Sequence, residues 1–209
     1  MITHYNRLAG HSVERIAALS DGVFAVAMTL LVLDLHAPAI EAIHSEADLR
    51  AALANLAPRL LVYMMSFLTL GIFWIGQQTQ LNYLARSDRN LAWLHLVFLF
   101  AVTTLPFATA LMAEFFAYRT ALAVYWVNLA LFGALLLATW RYAGHAHLLK
   151  ADAPPELLAG VNRRIVIAQS LYAFGALMAN VDTRLSIAII IVVQLIYAIA
   201  PRLPLLWRL

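Results

Sequence analysis

The chain has 209 residues, 64% of them hydrophobic and 12% charged, with a net charge of +3 and a mean hydropathy of +0.81. Soluble domains carry about a quarter charged residues, so a water-soluble fold is excluded; the apolar residues run in long blocks, which predicts membrane helices rather than barrel strands. The absence of cysteine excludes disulfides, thiolate metal centres and cysteine nucleophiles, and the arginines are dispersed over short loops, unlike the basic stripe of a nucleic-acid binder.

Blocks of about 17–25 apolar residues predict an all-α membrane protein of six spans, at roughly 18–36, 58–78, 91–113, 120–141, 164–181 and 185–202. The first holds LSDGVFAVAMTLLVLDL, with an aspartate near each end, Asp21 and Asp34. Their helical separation is about 20 Å, against a hydrocarbon core of about 30 Å. At least one carboxylate therefore lies at hydrocarbon depth if this helix spans. The same two acids argue against a cleaved signal peptide, although Ala37-Pro38-Ala39 has the form of a cleavage site.

At about 100° per residue, Leu19, Gly22, Val26, Leu30 and Leu33 share one narrow face of the first helix, and Thr29 flanks it. Asp21 lies nearly opposite, so its carboxylate points into its own bundle. Arg15 is six residues away, outside the spacing of three or four that joins neighbours on a helix. Polar partners are therefore sought on other spans: Gln77 and Gln78 at the end of the second, His95 near the start of the third. Such a network reads as a packing lock or as a gating or proton-relay element.

The link from His36 to Ala57 is the longest outer loop, with room for a surface helix before Pro58. Asp34 stands at the outer mouth with Glu41, Glu46, Asp48, Glu114 and Asp182, which would concentrate cations there. In the third span Thr103-Thr104-Leu105-Pro106 marks a kink whose hydroxyls satisfy backbone freed by the proline. Trp93, Trp126, Trp140 and Trp207 sit near span ends, as an interfacial belt does. His145 and His147, with Asp152, lack the spacing and third ligand of a metal site. Pro154-Pro155 breaks the link between the fourth and fifth spans.

With the N-terminus inside, Arg7, Arg15, Arg86, Arg89, Arg141, Lys150, Arg163, Arg164, Arg202 and Arg208 fall on the cytoplasmic side. Arg50, Arg59, Arg119 and Arg184 fall outside. The positive-inside rule then places both termini in the cytoplasm. The spans hold no serine–base pair and no intramembrane ligand cluster, so an enzyme is not expected. A secondary transporter, with ionisable groups near the midplane, is the competing class. The wholly apolar middle of the first helix, Thr29 apart, favours a hydrophobically gated pore.

Arg15-Ile-Ala-Ala-Leu-Ser-Asp21-Gly-Val-Phe-Ala25, followed by Met28-Thr29-Leu30-Leu31-Val32-Leu33, resembles the first-helix signature of the transmembrane protein 175 family. Phe73-Trp74, Trp93-Leu94 and Leu105-Pro106-Phe107 extend the likeness over about the first 115 residues. Leu19 stands in place of the motif phenylalanine, Gln77-Gln78 where many relatives have histidines, and His95 where asparagine is common. The resemblance implies a potassium-preferring cation channel of the bacterial plasma membrane, without a TVGYG filter and without a cofactor. It implies a homotetramer whose pore is lined by the first helix. Val26, Leu30 and Leu33 then fall at the constriction, and Thr29 at a selectivity position. Arg15, Ser20 and Asp21 carry the motif.

Overall fold

A computed structural model describes residues 12–154 and 156–199. Among them are seven α-helices. Helix α1 is Val13–Leu30, extended by a 3-10 turn at Leu31–Asp34. A second 3-10 turn at Ile40–Ala42 leads to the short α2, Glu46–Asn55. Then come α3, Ala57–Asn82; α4, Arg89–Glu114; α5, Arg119–His145; α6, Leu157–Leu177; and α7, Thr183–Ile199.

Four segments are long and apolar enough to cross a membrane: Val13–Asp34, Ala57–Asn82, Arg89–Glu114 and Arg119–His145. The fifth and sixth expected spans are helical too, but less clearly of spanning type. Helix α6 carries Asn162-Arg163-Arg164 in its first half, and α7 has 17 described residues. Each of these four segments is longer than its apolar block, because end residues outside that block continue the helix. The segment 200–202 of the sixth expected span lies outside the described residues, as do Arg7, Arg202, Trp207, Arg208 and Pro155.

Local chemistry sets the helix ends. Ser12, Ser45 and Asp88 accept the backbone N–H three residues on, capping α1, α2 and α4. At α2 the Asp48 carboxylate also accepts from the N–H of His44, the residue before the cap, at 3.1 Å. The Ser45 hydroxyl, and then that N–H, hold the Asp48 carboxyl below its ordinary range. Helix α5 ends in a Schellman motif, with the Leu148 N–H on Ala143 O at 2.9 Å and the His147 N–H on Gly144 O at 3.3 Å. His147 takes the left-handed position, φ 54°. The chain after it pairs with the α3–α4 loop, through Ala85 N–H to Leu148 O and Lys150 N–H to Tyr83 O, both 2.9 Å.

In the bundle α4 packs on α5, α5 on α6 and α6 on α7, and α3 closes against α4 and α7. Helix α1 lies across α3 and α4. Phe24 of α1 meets Phe98 of α4, which meets Phe132 of α5, in tilted and edge-on aromatic contacts of 6.0 Å. Buried hydroxyls join four helices at one level. Thr109 (α4) reaches Ser66 (α3) at 2.7 Å, Ser66 reaches Tyr125 (α5) at 3.4 Å, and Tyr125 meets Thr69 (α3) at 2.9 Å. Gln194 (α7) donates to Thr69 at 2.7 Å. One order of donation satisfies the chain: Thr109 to Ser66 to Tyr125 to Thr69, and Thr69 to Met65 O at 3.0 Å.

Two expectations are corrected here. Trp140 is not interfacial: it is fully buried, and its indole donates to Leu158 O at 3.3 Å, tying α5 to α6. The Thr103 and Thr104 hydroxyls bond Phe100 O and Ala101 O at 2.7 Å, one turn back, rather than Val102 O, the acceptor that Pro106 leaves. Thr104 also accepts from Asn128 of α5 at 2.6 Å, so this site serves packing between helices.

Candidate functional site

Helix α1 divides into two faces. Ser20, Phe24, Ala27 and Leu31 recur at spacings of four, three and four, and all are buried in the bundle. Turned away from them, Val26 is 57% exposed, Leu30 44% and Leu33 64%. Leu19 is exposed on the same side. The packed bundle therefore leaves an aliphatic stripe uncovered from Leu19 to Leu33. Thr29 is exposed beside it, and its hydroxyl donates to Val26 O at 2.8 Å. With its proton committed to the backbone, Thr29 presents lone pairs outward, the polarity that suits a cation.

The motif residues divide into two contacts with α3. The Asp21 carboxylate accepts from Trp74 Nε1 at 2.8 Å and from Gln78 Nε2 at 2.6 Å, both on one oxygen. The Ser20 hydroxyl accepts from Gln77 Nε2 at 3.1 Å and donates to Ile16 O at 2.8 Å. Adjacent residues on α1 thus meet adjacent glutamines on α3, the carboxylate at the rim and the hydroxyl inside. Gln77 and Gln78 were legible as partners. Trp74 was not read as one, although an indole N–H one turn before Gln78 is a donor on the same helix face.

Arg15 and His95 do not join these contacts. Arg15 is exposed, and its guanidinium has no hydrogen bond or ion pair among the described residues. His95 is buried, with Nδ1 at 2.9 Å from Leu91 O of its own helix and Nε2 without a partner among the described residues.

Asp34 is half-buried in the 3-10 turn that ends the first span. Of the other acids expected at this mouth, Glu114 pairs with Arg59. Asp48 accepts the His44 N–H just before α2, and Asp182 accepts the Arg184 and Leu185 N–H groups at the start of α7, at 2.7 and 3.0 Å. Half of the acidic set is thereby engaged in local structure, leaving Asp34, Glu41 and Glu46. Among the described residues no three His, Asp or Glu side chains gather as a metal site.

The family model for the endosomal/lysosomal potassium channel TMEM175 matches residues 15–106, which contain both halves of this α1–α3 contact and His95. A potassium channel of Streptomyces collinus is 36% identical over 147 residues, spanning 67% of this chain and 70% of that protein. The chain belongs to the TMEM175 family. A TMEM175 homologue from Chamaesiphon minutus, described as a lysosomal potassium-selective channel homologue, has a crystal structure that superposes with a TM-score of 0.80. It is 25% identical and covers 91% of this chain and 98% of its own. The human endosomal/lysosomal proton channel TMEM175 is 34% identical over 102 residues, 46% of this chain but 20% of that longer protein. The TMEM175 family makes this a multi-pass membrane protein of a channel class, and channels are not enzymes.

Proposed function

We propose that this chain is a potassium-selective channel of the bacterial inner membrane, built as a homotetramer with α1 of each protomer at the axis. All six long helices span in this reading, as one domain, and both termini are cytoplasmic. Val26, Leu30 and Leu33 form successive apolar rings, and Thr29 supplies a ring of acceptor oxygens between the first two. The observation that carries the reading is the uncovered stripe opposite the buried Ser20–Phe24–Ala27–Leu31 face. Four such stripes meeting at an axis give a constriction of side chains in place of a TVGYG filter of backbone carbonyls. Narrow apolar rings exclude water and open by widening or wetting. Asp34, at the outer mouth, raises the local cation concentration. Ser20, Asp21, Trp74, Gln77 and Gln78 fix the angle at which α1 leaves α3. Arg15, without a partner among the described residues, meets a neighbouring copy.

Potassium flux from liposomes holding the purified protein tests this, with potassium, sodium and proton gradients varied separately. Fast potassium flux without a counter-gradient is expected. Flux that saturates and requires a sodium or proton gradient would indicate an ion-coupled transporter and place Asp21 and His95 at its centre. Proton flux exceeding potassium flux would align the chain with its human relative, a proton channel, instead.

A further inference from the structure

Three helical glycines admit a neighbour. A Cβ on Gly133 would meet the Gln169 side chain at 2.0 Å, one on Gly144 would meet Leu158 at 2.8 Å, and one on Gly175 would meet Ile190 at 3.1 Å. On α3, Gly71 and Gly76 have nothing within 4 Å of that position. A glycine inside a helix costs about 0.5–1 kcal/mol relative to alanine, and here no contact within the protomer offsets it. Both glycines line a groove of about 420 Å³ bounded by α3, α6 and α7.

This groove has two unlike ends. Helix α3 runs down it while α6 runs back up. Phe67, Leu68 and Tyr172 therefore line the end toward mid-membrane, and Thr79, Tyr83 and Arg164 the end near the loops. Arg164 is exposed, and it has no carboxylate partner among the described residues. Its guanidinium sits 5.6 Å from the centroid of the Tyr197 ring, whose hydroxyl donates to Arg164 O at 3.3 Å. The cation is thus steadied by an aromatic face with its fork of donors uncommitted, the form that binds phosphate in two-pronged fashion. Arg86, Arg141 and Lys150 belong to the same end of the bundle.

We propose that the groove holds one anionic glycerophospholipid per protomer, with its phosphate on Arg164 and an acyl chain along Gly71, Gly76, Ile165 and Ala168. Basic pockets between membrane helices recognise anionic headgroups in this way, and the volume falls within the range of ligand cavities. Two features select a lipid over a helix of another copy. The lining passes from cationic to apolar along the membrane normal, as a phospholipid does. The unpaired charge is positive, complementary to a phosphate. The site depends on membrane residence and not on the pore reading.

Native mass spectrometry of the detergent-purified full chain, with phosphatidylglycerol or phosphatidylcholine added, tests it. Wild type is expected to retain phosphatidylglycerol preferentially. Arg164→Gln lowers that retention by about tenfold, the equivalent of one charge-assisted contact, while Arg164→Lys, which keeps the charge and loses the fork, falls between wild type and Arg164→Gln. Gly71→Leu fills the groove and lowers retention with oligomeric mass unchanged and melting temperature no lower. Equal retention of the two lipids, or equal loss in the Lys and Gln variants, would overturn the assignment. A change of oligomeric mass in Gly71→Leu would overturn it too, by giving the groove to a second copy of the chain.

Discussion

Leu30 sits in the exposed stripe, and its aliphatic side chain neither donates nor accepts a hydrogen bond, so its contribution to a pore is volume alone. Leu30→Ala removes that volume without disturbing the buried face of α1. Leak flux from liposomes is expected to rise several-fold and potassium-over-sodium discrimination to fall. Unchanged flux would remove Leu30 from the constriction. Asp21 is a different case, because its carboxylate receives two donors from α3. Asp21→Asn keeps an acceptor oxygen but discards the charge that strengthens both bonds, a loss of about 1–2 kcal/mol. The expected result is a weaker assembly on size-exclusion chromatography with little change in flux per assembled channel. An intact assembly with altered flux would instead make Asp21 part of the gate.

At the scale of elements, much of α1 could be read directly. An apolar stripe at helical spacing and a carboxylate turned away from it are local properties of a sequence. Pairings between helices are not. Asp21 has many donors within the second and third spans, and only the rotation of α3 decides that Trp74 and Gln78 are the ones. Arg15 and His95 were equally plausible by residue type, yet the one faces outward and the other is turned onto its own carbonyl. Trp140 fails as an interfacial anchor for the same reason: depth along the helix is legible in the chain, and azimuth around the bundle is not. The end of α5 carries a further prediction. His147 occupies the left-handed site of the Schellman motif, where a side chain costs about 1 kcal/mol relative to glycine. His147→Gly is expected to raise the melting temperature in detergent by a few degrees, corresponding to about 1 kcal/mol. Destabilisation would mean that the imidazole makes contacts worth more than the strain.

The whole molecule is held by more than apolar contact, since lipid tails compete for apolar surface as well as neighbouring helices do. The chain of Thr109, Ser66, Tyr125 and Thr69 crosses three helices, and Gln194 brings in the fourth. Tyr125→Phe removes its central member. Interhelical hydrogen bonds in membranes contribute about 0.6 kcal/mol on average and up to about 1.7, and a destabilisation in that range is expected in detergent unfolding. Gln194→Leu is expected to cost less. It removes a donor to Thr69 together with an amide oxygen that is buried without a partner, so part of the loss is offset. A larger cost for Gln194→Leu would mean that this oxygen is satisfied by something the protomer does not supply.

The contacts of α1 are uneven along its length. Its hydrogen bonds to α3 all lie at Ser20 and Asp21, and from Val26 to Asp34 no interhelical hydrogen bond holds it among the described residues. The helix is therefore hinged like a door, latched at one end and greased along the rest. Its far half can swing against α3 and α4 by sliding apolar surfaces, while the latched half stays in register. In the proposed pore the diameter at Leu30 and Leu33 would then change without any polar group being stripped of its partner, and the energy of opening would be set by how water enters the gap.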